Sequence, residues 1–165
     1  RSKIPWIMTN GYWNHPEWTE KAWRNLWFHT GDMLMRDQQG NLYFVDRAKD
    51  AIRRRGENIS SMEVENEINA YPGVLECAVI PIDCAATEQE VMAVIVAREG
   101  EHLDPEALVQ FLADRMAYFM VPRYIDVVKS MPKTATGKIQ KFALRDNGLT
   151  ATTWDRVAAG VKIKK

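Results

Sequence analysis

Two long apolar runs dominate the middle of the chain, "VLECAVIPI" at residues 74–82 and "EVMAVIVA" at residues 90–97. Both are rich in β-branched residues, with a polar loop between them, and predict two adjacent, mostly buried strands. A third run, "RYIDVVK" at residues 123–129, predicts another strand. Helical spacing appears on either side of these runs. Ser60, Ser61 and Glu63 open one helix, with Ser60 and Glu63 at the separation of a capping box. Val64, Ile68 and Tyr71 follow at helical spacing, and Pro72-Gly73 ends it. Asp104 and Pro105 start a second helix as cap and first residue. Leu108, Phe111, Leu112 and Met116 form its inward face, and Val121-Pro122 marks its end. "QKFALRDNG" predicts a short third helix closed by Gly148.

Earlier in the chain, "DQQGNLYFVD" predicts a turn at Gly40 and a strand over residues 42–45. "AIRRRG" predicts a further strand, with Arg53 and Arg55 on one face and Arg54 on the other. The order from there is β-α-β-β-α-β. The fold expected is therefore α+β: a small sandwich with a central, largely antiparallel three-stranded sheet flanked by helices, plus a small two-stranded hairpin. Three regions are expected: residues 1–46, residues 47–148 as the compact domain, and residues 149–165 as a tail.

Composition changes this picture in one place. Trp6, Trp13, Trp18, Trp23 and Trp27 all fall in the first 27 residues, among turn formers and without clean periodicity. So much aromatic surface needs a cover, which predicts that the segment is the edge of a larger domain. The rest excludes function classes. Acidic and basic residues balance at 22 each, giving no overall pull toward nucleic acid or anionic lipid. No signal peptide or membrane-length apolar run is visible, so a cytoplasmic protein is expected. Cys77 and Cys84 form no C-x-x-C pair and read as reduced structural thiols.

Three polar clusters look chemical: "HTGD" at 29–32, "DRAKDAIRRRGENIS" at 46–60 and "PKTATGKIQK" at 132–141. Alone, each has an ordinary explanation as a turn, a solvated basic face or a loop. Their order and spacing, from "GYW" through "WFHTGD", "NLYFVDRAKDAIRRRGENIS" and "EVE" to "VPRYIDVVKSMPKTATGKIQK", closely resemble the C-terminal part of the adenylate-forming enzymes. "GENIS" and "FVDR" are most similar to medium-chain, aryl and carnitine-type acyl-CoA ligases.

The resemblance implies a two-step ligase that converts a carboxylic acid and ATP to an acyl-adenylate and then transfers the acyl group to CoA. It implies ATP, Mg2+ and CoA as cofactors, with Mg2+ held by a large N-terminal domain. Residues 1–46 would be the tail end of that domain, and residues 47–148 a mobile domain that turns between the two steps. Lys138 matches the lysine of the adenylation step. Asp32 matches the aspartate that holds the ribose hydroxyls, and Arg47 an arginine near ribose or phosphate. Lys49 falls at the hinge. Gly56, with Glu57 and Asn58 beside it, matches the position lining the pantetheine tunnel, and Arg123 a cation near the CoA phosphates. Arg53, Arg54 and Arg55 coat a sheet face or meet the CoA 3′-phosphate. Lys133 and Lys141 are expected to be solvent charges, His29 to be structural, and no metal ligands are implied here. The phosphate loop and acyl pocket of that family do not occur in these 165 residues, so the chain alone is expected to form no acyl-adenylate. Two rival readings are a non-catalytic binding module of the same fold and an RNA-binding α+β domain. The zero net charge, and strands without paired exposed aromatics, weigh against RNA.

Overall fold

The computed structural model describes residues 9–163. The chain divides into two compact units, Arg1–Ala48 and Lys49–Lys165. Trp6 lies outside the described residues.

The first unit contains helix α1 (Pro16–Ala22), a short 3-10 turn (Arg24–Leu26), and strands β1 (Asp32–Arg36) and β2 (Leu42–Arg47). The periodicity gave no warning of α1, although Pro16 at its first position, Glu17 in its first turn and Lys21 in its last are ordinary helix signals. β1 and β2 pair antiparallel as a separate two-stranded sheet. Much of the apolar surface of this unit's described residues is uncovered. Trp13 is 88% exposed, and Trp18, Trp27, Met35, Leu42 and Phe44 are also exposed. Trp18 finds local company, stacking on His15 at 3.9 Å. His29 is tied to backbone, its Nε2 3.3 Å from the Arg24 carbonyl.

The second unit is built on a mixed sheet. Its strands are β3 (Ile52–Arg54), β4 (Glu57–Ile59), β5 (Val74–Cys84), β6 (Glu88–Ala97), β7 (Tyr124–Val128) and β8 (Trp154–Asp155). β5 pairs antiparallel with β6, and β7 lies parallel to β6 on its other side. β3 and β4 form a hairpin that joins the sheet where Arg54 meets Glu88. The segment after Gly148, expected to be a tail, supplies β8, which pairs with β7.

Alternation along β5 and β6 sends side chains to both faces, and both faces are covered. Cys77, Val79, Val91, Ala93 and Ile95 join one core with helices α2 (Ser61–Asn69) and α3 (Pro105–Ala113). Ile52 and Ile59 of the hairpin belong to this core. Ala78, Ile80, Met92 and Val94 face the other way, against Met131, Leu144 and Ile139 around helix α4 (Lys141–Asn147). The Ser60 hydroxyl accepts from Glu63 N and caps α2, while the Asp104 carboxylate accepts from Glu106 N and caps α3. α3 stops at Ala113 rather than near Val121. The Leu112 carbonyl accepts from both Arg115 N and Met116 N, tightening the last turn. Met120 and Val121 then reach the core along a non-helical path.

Both cysteines are free. Burial, then the charge of Glu65, pushes the Cys77 thiol up to about 12. The Cys84 thiol is lowered, chiefly by hydrogen bonding with the Thr87 side chain. Iodoacetamide at pH 8 should therefore alkylate Cys84 first. Peptide mass mapping should find Cys77 modified only after denaturant is added, and equal labelling in the native state would contradict this packing.

Candidate functional site

Asp32 and Arg47 face each other across β1 and β2, as register partners. Arg47 Nε lies 3.3 Å from Asp32 Oδ1. That oxygen is enclosed yet has no aligned hydrogen bond, so the carboxylate retains accepting capacity. Its backbone is set by the turn before it: Gly31 has φ +76, and Asp32 N donates to the Thr30 hydroxyl. The Gly31 carbonyl accepts from Ala48 N at 2.8 Å, closing the strand end. A carboxylate beside a guanidinium can bind a cis-diol and an adjoining phosphate together.

Lys49 is exposed in the turn that follows Ala48. The next residue, Asp50, is buried and pairs with Arg145 of α4 at 2.7 Å.

Arg55 and Gly56 form the two-residue turn of the β3–β4 hairpin, with φ of +53 and +83. The predicted strand is thus shorter than expected and Arg55 leaves it. Two adjacent positive φ values define a type I′ turn, which the "RRRGEN" string conceals because Arg stands where Asn is preferred. An added Cβ on Gly56 would meet nothing within 4 Å, so its backbone is open to a passing ligand. Its N–H donates to Glu88 Oε2 at 3.2 Å, and Arg55 N donates to the Thr87 carbonyl. Glu57 and Asn58 are exposed on β4.

Arg54, the buried member of the arginine triplet, fixes the hairpin from behind. Its Nη2 is 2.7 Å from Glu90 Oε2, and its Nη1 donates to the carbonyls of Phe119 and Val121. Burial pulls this guanidinium below its ordinary value, against the pull of Glu90. Removing either partner alone would leave a buried charge, at a cost of roughly 3–5 kcal/mol. Arg123 lies at the edge of the same network. It donates to both oxygens of Asp155 at 3.2 and 3.0 Å, which holds its guanidinium above the ordinary value.

A pocket of about 400 Å³ opens beside the turn. Arg55 and Lys162 bring charge to it, Tyr118 and Phe119 bring rings, and Val157 and Val161 of the C-terminal segment form part of its wall. Cations with aromatic faces suit an anionic, planar ligand. Sequence reading missed Glu88, Glu90, Phe119 and the C-terminal wall, because only the folded sheet brings them to the hairpin.

Lys138 is exposed between β7 and α4. Its loop is a closed turn, not a slack one. Lys133 bridges Ile139, Thr134 N donates to the Lys138 carbonyl at 2.8 Å, and Lys138 N donates to the Thr134 hydroxyl at 3.1 Å. Gly137, with φ +80, lets the chain reverse. Both flanking lysines are paired; Lys133 is an exposed charge, as expected, while Lys141 is largely enclosed. Lys133 Nζ pairs with Glu76 at 2.7 Å, and Lys141 Nζ with Glu65 at 2.7 Å and Ser61 Oγ at 2.8 Å. Among the described residues, the Lys138 ammonium has no such partner.

Known proteins resemble this chain in sequence and in fold. Residues 63–138 match the AMP-binding enzyme C-terminal domain. The chain carries the C-terminal domain of the adenylate-forming enzymes. Feruloyl-CoA synthase of an Amycolatopsis species is 41% identical over 135 residues, 82% of this chain and 28% of that protein. The mitochondrial medium-chain acyl-CoA ligase ACSF2 of Bos taurus is 40% identical over 137 residues, 82% of this chain and 22% of that ligase. ATP-bound MatB of Rhodopseudomonas palustris superposes with a TM-score of 0.74 at 34% identity, over 84% of this chain and 28% of MatB. The chain thus spans under a third of the length of these relatives. Among the described residues, this adenylate-forming C-terminal domain gathers no group of three or more metal-ligating side chains, and no helix long and apolar enough to cross a membrane.

The hairpin turn gives a direct test of its geometry. Arg55→Asn should stabilise the chain by roughly 0.5 kcal/mol, because Asn tolerates the left-handed region better. Gly56→Val should destabilise it by about 2 kcal/mol, through backbone strain alone. Urea unfolding of the three chains checks both signs, and a neutral Gly56→Val would rule out the turn.

Proposed function

We propose that this chain works as the C-terminal domain of an ATP-dependent acyl-CoA ligase, which joins a carboxylic acid to CoA through an acyl-adenylate. One observation carries the reading. The Lys138 loop is rooted in one face of the central sheet through Met131, Ile139 and Leu144, while the Gly56 hairpin is rooted in the other through Ile52 and Ile59. A single domain can thus offer two different chemistries from two sides.

In the first step Lys138 is the catalytic residue. Its ammonium meets the negative charge that builds between the acyl carboxylate and the α-phosphate, and stabilises it more in the transition state than in the ground state. Asp32 accepts from the ribose hydroxyls and Arg47 donates to the ribose or phosphate oxygens. Mg2+ would travel with the ATP phosphates and be held by the large N-terminal domain, of which residues 1–46 are the closing part. The uncovered Trp13, Trp27 and Phe44 support such a partner surface. In the second step the domain turns at Lys49, and the open backbone of Gly56, with Glu57 and Asn58, flanks the CoA arm. Arg55 and the adjoining pocket take the CoA nucleotide, with Arg123 nearby. The free thiols Cys77 and Cys84 suit a cytoplasmic setting, and nucleic acid has no part in this reading.

Single-turnover kinetics of the ligase that carries this domain test the reading. Lys138→Ala should slow adenylation by about 10²–10³-fold, while CoA attack on pre-formed acyl-adenylate is nearly unchanged. Gly56→Leu should show the reverse. If both variants slow both half-reactions equally, the two-sided reading fails.

A further inference from the structure

Three lysines line the loop at residues 132–141, and they differ in what holds them. Lys133 and Lys141 are each engaged by a carboxylate of the domain body, while Lys138 between them is exposed and, among the described residues, unengaged. The Lys141 contact is the more enclosed of the two. Its side chain is 18% exposed and that of Glu65 17%. Glu65 also accepts from Val79 N at 2.7 Å, so one carboxylate links helix α2, strand β5 and the start of α4. Ser61 Oγ accepts a second bond from the Lys141 ammonium.

Lys141 is the first residue of α4, three positions beyond Lys138. Anchoring it fixes the C-terminal stem of the loop. The N-terminal stem is fixed by Lys133–Glu76 and by the hydrogen bond from Gln140 N to the Pro132 carbonyl. Between the stems the turn closes on itself through Thr134. Two tethered stems and a bonded turn leave the Lys138 backbone little freedom relative to the sheet.

We propose that Lys141 is a positioning residue for Lys138. Held between Glu65 and Ser61, it sets the height and direction from which the Lys138 ammonium is presented. The loop is then carried by the domain as a fixed projection and does not find its target by flexing. The proposal rests on the reading of Lys138 as the adenylation lysine. A purely structural role would make Lys141 matter for stability and equally for both half-reactions, whereas a positioning role acts on adenylation alone.

The experiment has two arms. In the ligase that carries this domain, single-turnover rates of both half-reactions are measured for Lys138→Ala, Lys141→Met, Lys141→Arg and Glu65→Gln. Glu65→Gln keeps an acceptor for Val79 N, so it tests the charge with the strand contact retained. Lys141→Met and Glu65→Gln should slow adenylation by about 10–100-fold, the scale of an ångström-sized misplacement. Thioester formation should stay within about twofold, and Lys141→Arg should restore most of the adenylation rate. In the second arm, hydrogen exchange of the Lys138 amide should speed up in Lys141→Met and Glu65→Gln, while exchange in β6 is unchanged. Lys138→Ala separates the two ideas. If that variant adenylates normally, the assignment of Lys138 fails, and the exchange arm alone judges the clamp. If Lys138→Ala is slow while Lys141→Met and Glu65→Gln adenylate at the unaltered rate, positioning is overturned. It is equally overturned if the two variants slow both half-reactions alike, if Lys141→Met unfolds while Glu65→Gln is silent, or if exchange at Lys138 does not change.

Discussion

The arrangement depends on one constraint: strands β5 and β6 are buried on both sides. A strand covered on one side can pack a single set of partners, while one covered on both must find partners for odd and even residues alike. Val91, Ala93 and Ile95 hold α2, α3 and the β3–β4 hairpin, and Met92, Val94 and Val96 hold α4 and its loop. Every residue discussed as chemical in the second unit is attached to one of these two layers. The separation of Lys138 from Gly56 follows from the period of two in a β-strand, before any question of function arises.

The charged network behind the hairpin is a different kind of device. Arg54, Glu90 and Asp155 come from β3, β6 and β8, and Arg123 stands just before β7, so all four meet at one end of the sheet. Hydrophobic residues of similar volume could fill such a space with no loss of stability. The ions add direction, because the Arg54 guanidinium reaches two carbonyls of the 119–121 segment as well as Glu90. The wall of the pocket and the turn beside it are thereby referred to one group.

Much of this fold was legible in the sequence. The apolar runs of β5, β6 and β7, the Ser60 and Asp104 caps, and the Gly148 stop are local signals, and local signals survive into the structure. What escaped depends on distant partners. The Arg55-Gly56 turn lacks the usual Asn, β8 is two residues long, and α3 ends at Ala113 although its apolar spacing runs on to Met116. The site shows the same division. "TGD", "RGEN" and "TGK" stand out as short polar motifs, yet nothing near Lys141 announces a partner such as Ser61, 80 positions away. A lysine in a polar run looks solvated until the helix that covers it is in place.

Helix α4 links two places that are far apart in the sequence. Its Lys141 is bound to α2, and one turn later its Arg145 is bound to Asp50, the residue that follows Lys49. About 6 Å of helix separates those anchors. Should the chain swivel at Lys49, the Asp50–Arg145 pair and one turn of α4 would carry that rotation to the stem of the Lys138 loop as a single piece.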